Sequence, residues 1–230
     1  MKLSIIIPCL NEQNTLSEIV NKVLKFTKFE KEIIIIDDHS TDNTPKIIEE
    51  LKKNFKEVKS LRHDRNYGKG MGIQSGVKLS TGDIVLIQDA DLEYDPQDFE
   101  KLLLPFEKTD ADIVYGSRFI GGDYVRLHFF WHFIANKMLT TLCNAFTNLN
   151  MTDMETGYKL FKSEVIKSIN LKEKSFGIEP EITVKLAKKK FIFYEVPITY
   201  SGRSYEQGKK IGLSDAFKAI YCIIKYRFFD

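Results

Sequence analysis

The sequence predicts a doubly wound α/β fold built on a mostly parallel sheet, and two observations carry that prediction. Through residue 116, short β-branched runs alternate with longer stretches of helical spacing. Most of the runs are nearly continuous in apolar residues and do not alternate with polar ones, as expected of strands buried on both faces. Crossover helices joining such strands give a sheet covered on both sides.

Taken in order, residues 3–8, 33–37, 58–61, 84–88 and 113–115 read as strands. Residues 11–26, 43–54, 69–79 and 96–106 have the length and apolar spacing of flanking helices, with Thr41 or Asp42 and Asp95 as N-caps. After residue 120 the alternation stops. Residues 129–148 form a long apolar helical stretch holding the sole Trp, Trp131; two further helical patterns and a strand over 192–200 follow. Residues 213–229 close the chain as an amphipathic helix, with Phe217, Ile220, Tyr221, Ile224 and Phe228 on one face. At 230 residues and 43% hydrophobic content the chain can bury one core, so a single domain is expected.

Charge excludes one class of partner. Thirty-four Lys and Arg nearly balance 32 Asp and Glu, leaving +2, so the chain is no polyelectrolyte for nucleic acid. The balance is local, however: from Val184 to Asp230 ten Lys/Arg face four acids. Cys9, Cys143 and Cys222 have no metal-ligand spacing and fit a reducing, cytoplasmic setting. The first residues do not read as a signal peptide, and no apolar run of about 20 residues could span a bilayer.

In a doubly wound sheet the ligand sits beyond the carboxyl ends of the strands. Three acids follow one such end in Gln88-Asp89-Ala90-Asp91-Leu92-Glu93, where spacing of two lets carboxylates on an extended loop point the same way. Hard oxygen ligands of this kind suit Mg²⁺ or Mn²⁺, which takes one or two carboxylates and completes its shell with water and substrate phosphates. A solvated turn capping the next helix would use the same residues. Asp37-Asp38 ends a second strand and Pro8-Cys9-Leu10-Asn11-Glu12 the first; such carboxylates can accept from a nucleobase or ribose, or cap a helix. Asn66-Tyr67-Gly68-Lys69-Gly70-Met71-Gly72 is a glycine-rich turn into a helix that could face phosphate or make a tight connection. It matches neither a P-loop nor a dinucleotide fingerprint.

Eight ordered segments resemble one family: IIIPCLNE (5–12), IIIIDDHSTD (33–42), NYGKGMGIQSG (66–76), QDADLEYDP (88–96), GSRF (116–119), DMETGYKLFK (153–162), FGIEPEIT (176–183) and EVPITYSGRSYEQGKKIG (195–212). Together they resemble the family 2 glycosyltransferases of GT-A fold, and within them the polyprenyl-phosphate sugar synthases of the dolichol-phosphate mannosyltransferase kind. The resemblance implies one GT-A domain over 1–230, with a nucleotide-binding half (1–120) and an acceptor-side half (121–230). It implies that Pro8, Leu10, Glu12, Ile36 and Asp38 line the nucleotide pocket, and that Asp89, Ala90 and Asp91 hold the diphosphate through the metal. Asp89, Asp91 and Glu93 would be the metal ligands. Arg118, Arg203 and Lys209 match basic positions directed at donor or acceptor phosphate, a task suited to guanidinium and ammonium groups; Asp89, Asp91 and Arg118 would carry the reaction. Relatives often have Gln at the Glu93 position, Gly at His39 and Tyr at Leu10, so the choice between guanine and uracil stays open.

The implied reaction moves a hexose from a nucleotide diphosphate sugar, GDP-mannose or a UDP-sugar, to a polyprenyl or dolichyl phosphate with inversion and metal assistance. A phosphate acceptor is already ionised at neutral pH, so no general base is required. Asp153, Glu155, Glu179 and Glu181 accordingly read as structural or acceptor-side residues. A lipid acceptor implies peripheral contact with the cytoplasmic face of a membrane, for which residues 129–142 and 213–229 are apolar with basic flanks. The same stretches would equally pack on the sheet, or meet a second copy or a membrane-protein partner. Two alternatives stand beside this reading, a glycosyltransferase acting on a soluble saccharide and a noncatalytic nucleotide-sugar-binding module. A sugar-nucleotide pyrophosphorylase lacks support, because PCLNE stands where its glycine-rich loop would be.

Overall fold

The computed structural model describes residues 1–121, 129–202 and 213–230. The chain runs β1 (Lys2–Cys9), α1 (Leu16–Lys25), β2 (Glu30–Asp37), α2 (Thr44–Asn54), β3 (Val58–Arg62), α3 (Lys69–Leu79), β4 (Ile84–Ile87), α4 (Phe99–Lys108), β5 (Ile113–Ser117), α5 (Phe130–Thr147), β6 (Lys159–Lys162), α6 (Ser163–Lys167), α7 (Ile178–Lys188), β7 (Phe193–Pro197) and α8 (Leu213–Phe228). The strands form a seven-stranded sheet in the order β3-β2-β1-β4-β6-β5-β7. All pairings are parallel except those of β6, which is antiparallel to β4 and β5.

Period-two alternation assigns the two faces of the sheet. Ile5, Ile7, Ile33 and Ile35 point to one side, where Leu16, Ile19 and Val23 of α1 and Phe99, Leu102 and Leu103 of α4 cover them. Ile6, Ile34 and Ile36 point to the other, under Ile73 and Val77 of α3. That second core continues beneath Cys143, Ile178, Ile182, Cys222, Ile223 and Tyr226 of α5, α7 and α8. With both faces sealed, the central stretches of β1, β2 and β4 are apolar on both sides, which is why they read as nearly uninterrupted runs.

Several elements differ from expectation. The first helix begins at Leu16 and not at Asn11, because Asn11 is left-handed (φ 57°) and its Oδ1 accepts from the Thr41 backbone N–H at 2.8 Å. The N-cap of α2 is Asn43 and not Thr41 or Asp42, although Asp42 just before it accepts from Thr44 N at 2.9 Å; Asp95 accepts from Gln97 N to open the short 3₁₀ turn Pro96–Asp98 ahead of α4, as expected. Strand β6 is absent from the sequence reading. Its four residues carry Lys at both ends, and the fully buried Lys159 breaks the apolar pattern. The expected strand over 192–200 shortens to β7, beyond which Tyr200 makes one antiparallel bridge to Tyr94.

On α8 the apolar stripe named from the sequence largely faces outward. Phe217, Tyr221 and Phe228 are more than half exposed, while Ala219, Cys222, Ile223 and Tyr226 face the core. The helix is apolar on both sides. No helix among the described residues is long and apolar enough to cross a membrane, and all three cysteines are free and buried.

Candidate active site

Strand order places the site. From β1 the chain winds outward through β2 and β3, and β4 lies on the opposite side of β1. The switch point falls between β1 and β4, where an open α/β sheet accepts ligands. The segments leaving these strands are 10–12 and 88–93, with 38–40 alongside because Cys9 and Asp37 end in register.

Asp89 faces a cation supplied by the chain itself. Its Oδ1 lies 2.8 Å from Nζ of Lys69, the first residue of α3, and the same ammonium is 3.3 Å from Glu179 Oε1 in the first turn of α7. Burial by itself would lower the Lys69 pKa, but Asp89 and then Glu179 more than reverse this, so the ammonium stays charged. Two glycines make the approach feasible. A side chain at Gly68 (φ 99°) or Gly70 would strike the backbone of Glu173 and Lys174, so α3 can lie against the turn that leads into α7.

Asp91 and Glu93 occupy the same loop with different surroundings. Asp91 Oδ1 accepts from Glu93 N at 3.2 Å, while Glu93 Oε2 accepts from the Tyr200 hydroxyl at 2.8 Å. Ser201 N donates to Glu93 O, and the Tyr94 and Tyr200 rings pack 5.1 Å apart, fixing this loop to the chain beyond β7. The Tyr94 hydroxyl accepts from Gly157 N at 2.8 Å. Among the described residues no group of three or more His, Cys, Asp or Glu gathers as a metal cage. The donor set still suits Mg²⁺ or Mn²⁺ bound in the manner that needs only one or two carboxylates, with phosphate oxygens completing the shell.

Arg118 leaves the carboxyl end of β5 and grips Asp153 with a fork: Nε to Oδ2 at 2.6 Å and Nη2 to Oδ1 at 2.7 Å, with its backbone N–H also on Oδ2. Asn136 of α5 donates to the same carboxylate at 3.2 Å. Burial alone would raise the fully buried Asp153, but Arg118 holds it below the usual carboxylate range. The guanidinium lies over the Tyr200 ring at 5.1 Å. A fork with five donors that spends two on Asp153 keeps others for an anion.

The remaining nucleotide candidates act mainly as scaffold. Asp38 is buried and accepts from His63 Nδ1 (2.7 Å), Tyr67 N (3.0 Å) and Gly68 N (2.6 Å), which uses most of a carboxylate's capacity on the 63–68 segment. His63 passes the contact on through Nε2 to Ser75 Oγ at 2.9 Å. Asp38 therefore braces the loop that carries Lys69 at the strand end where the nucleotide pocket is expected. Ile36 has no exposed surface and packs in the core beneath α3; Ala90 is nearly as buried. Glu12 Oε2 accepts from Thr15 Oγ1 at 2.6 Å at the entry to α1. Pro8 touches the Gly72 position from below, and Leu10 is half-buried at the strand end. Arg203 and Lys209 lie outside the described residues.

Three residues near Asp89 and Arg118 gain weight that the sequence did not give them. In the sequence Lys69 stands only as part of a glycine-rich turn, and Glu179 and Asp153 only as structural or acceptor-side residues. Glu181, read in the same way, is structural: it is buried and accepts from Lys172 N, Glu173 N and Lys185 Nζ. The one available signal was Lys between two glycines at the start of a helix, a place that brings an ammonium to a strand end.

Residues 4–169 match the family model described as glycosyl transferase family 2. The chain belongs to that family. Over 98% of its length it is 29% identical to a dolichol-phosphate mannosyltransferase of Pyrococcus furiosus, and it spans 64% of that relative's own length. It is 31% identical to an uncharacterised Methanocaldococcus jannaschii protein, with 90% of this chain and 93% of the other covered. A Dictyostelium discoideum dolichyl-phosphate beta-glucosyltransferase is 29% identical over 98% of this chain and 74% of its own. Among solved structures, glucosyl-3-phosphoglycerate synthase from Mycobacterium tuberculosis superposes with a TM-score of 0.75 at 15% identity, covering 100% of this chain and 79% of that one. That likeness fixes the GT-A fold. Family 2 membership and these relatives make the chain a glycosyltransferase.

Proposed function

We propose that this glycosyltransferase moves a hexose from a nucleotide diphosphate sugar to a polyprenyl phosphate, and that a divalent metal assists. The observation that carries the reading is the pair of cationic groups on either side of the switch point, Lys69 against Asp89 and Arg118 against Asp153. Two anions must meet for this reaction, the departing diphosphate and the attacking phosphate. Asp89 and Asp91 would hold Mg²⁺ or Mn²⁺, which when bound stabilises negative charge on a leaving diphosphate. Lys69 neutralises the same region from the protein side, and Arg118, oriented by Asp153 and Asn136, presents its remaining N–H donors to acceptor phosphate. An ionised phosphate oxygen attacks the anomeric carbon directly, so no side chain has to remove a proton. The mycobacterial fold neighbour is known with Mn²⁺, UDP and UDP-glucose, which supports a nucleotide sugar and a metal here. The printed names of the Pyrococcus and Dictyostelium relatives support a lipid phosphate acceptor.

Exposed apolar side chains on two helices also support that acceptor. Helices α5 and α8 pack together, with Phe146 and Phe228 rings 5.6 Å apart. They expose Phe130, Trp131, Met138, Phe217, Tyr221 and Phe228. An apolar face of this extent on a chain that also has Asn136 at the Arg118–Asp153 pair suits an enzyme whose acceptor is rooted in lipid. The test is product partition. Donor labelled in the sugar, incubated with polyprenyl phosphate, should give a label that extracts into organic solvent and is released by mild acid. Label appearing solely in a water-soluble saccharide would contradict a lipid acceptor.

A further inference from the structure

Among the described residues two acidic side-chain oxygens, one on Glu179 beside Lys69 and one on Glu155 two residues from Asp153, have no hydrogen-bond partner. Glu179 is 6% exposed; its Oε1 faces Lys69, but Oε2 is sealed from solvent and no donor reaches it. Glu155 Oε1 is likewise sealed and without a donor. Buried polar atoms are nearly always satisfied and leaving one bare is costly, so two of them call for a ligand that supplies partners, although burial and then Glu179 push the Glu155 carboxyl up toward its neutral form.

Their surroundings define that ligand. Glu155 lies within electrostatic reach of Glu179, Lys159, Arg118 and Asp153. Lys159, the buried cation nearest at hand, spends its ammonium on the carbonyls of Met154 and Thr156 and sits 4.6 Å from the Tyr115 ring centroid. It pins the 154–156 backbone and so sets where Glu155 points. Lys69 similarly sets Glu179. Glu179 is thus tied through Lys69 to the carboxylate proposed for the diphosphate, and Glu155 stands two residues from Asp153, which holds the guanidinium proposed for the acceptor phosphate. In an in-line displacement the sugar ring lies between diphosphate and acceptor phosphate, and a hexose carries several hydroxyl donors and no charge.

We propose that Glu179 and Glu155 form the hexose-binding wall of the donor site, with hydroxyls of the transferred sugar donating to Glu179 Oε2 and Glu155 Oε1. The assignment rests on the nucleotide-sugar reading above. It also gives both acids a task other than proton transfer, in keeping with an acceptor that needs no base. A carboxylate held in place rejects sugars that lack the matching hydroxyl, because the acceptor is then buried unpaired.

Calorimetric titration of the full chain in Mn²⁺ separates the possibilities, using UDP, GDP, UDP-glucose, GDP-mannose and mono-deoxy forms of the better sugar donor. Glu179→Gln should bind the free nucleoside diphosphate within about twofold of wild type and the intact nucleotide sugar at least about tenfold more weakly. Glu155→Gln should show the same split. In the wild type at least one deoxy donor should bind about tenfold more weakly than its parent, and Glu179→Gln should lose most of that discrimination. The proposal is overturned if Glu179→Gln weakens nucleotide and nucleotide sugar by the same factor, or weakens neither. It is equally overturned if the wild type binds every deoxy donor as tightly as the parent, a result that does not depend on any variant folding. Failure of the wild type to bind any of the four nucleotides would overturn the nucleotide-sugar reading itself.

Discussion

Arg118 and Asp153 illustrate how one pair of side chains can serve both stability and chemistry. Removing one partner of a buried ion pair costs about 3–5 kcal/mol, since the other charge is left uncompensated. Arg118→Met should therefore lower stability by roughly 3 kcal/mol, read as a shift of the urea midpoint at unchanged slope. Arg118→Lys keeps the charge and loses the fork; transfer should fall about tenfold or more while most stability is retained. Glu32 is a structural counterpart at the other end of the sheet. Burial alone would raise its pKa, but Lys59, Ser4 and Thr81 donate to it and hold it at about 2 against an ordinary 4.5. Because the folded value is depressed, its contribution is complete above about pH 4.5 and is lost as pH falls toward 2. Glu32→Gln should flatten that part of the acid-unfolding curve, measured as stability against pH from 6 to 2. At this scale the sequence singles out Asp89 and Asp91 as candidates but not the meeting of Lys69 with Glu179. An acid triplet after a strand is a local pattern, whereas the meeting of Lys69 with Glu179 depends on how α7 is placed against α3.

Helix α3 shows what glycine contributes at the scale of an element. A Cβ at Gly76 would enter the space of the fully buried Ile6 side chain, and one at Gly72 would press on Pro8. The glycines let α3 lie close to β1, which brings Lys69 over the strand end. In an exposed helix Gly→Ala gains about 1 kcal/mol. Here Gly76→Ala should instead destabilise by about 1–3 kcal/mol, through overpacking against a strand that cannot yield, and chemical denaturation will measure it. Most elements were legible because each apolar run or helical stripe is set by its own residues. Strand β6 was not, since Lys159 is buried only by virtue of the carbonyls of Met154 and Thr156. The stripe on α8 was legible as a pattern, yet its direction was not, for a helix apolar on two sides gives periodicity no way to choose which side meets the core.

For the whole molecule, the exposed aromatic face of α5 and α8 and the basic surplus after Val184 make a combined prediction. The chain should sediment with anionic vesicles at low salt and release as salt rises, because each Lys or Arg near the surface adds about 1 kcal/mol that screening removes. Replacing Trp131, Met138 and Phe217 together by Ser should abolish sedimentation and leave the melting temperature nearly unchanged, as these side chains are largely exposed. The central claim, that Asp89 holds the departing diphosphate and does so in concert with a divalent metal, is tested most directly by the turnover of Asp89→Asn with saturating Mg²⁺ or Mn²⁺. Several kcal/mol of charge stabilisation corresponds to a loss of about a hundredfold or more in the rate of sugar transfer. Turnover close to that of the wild type would contradict it.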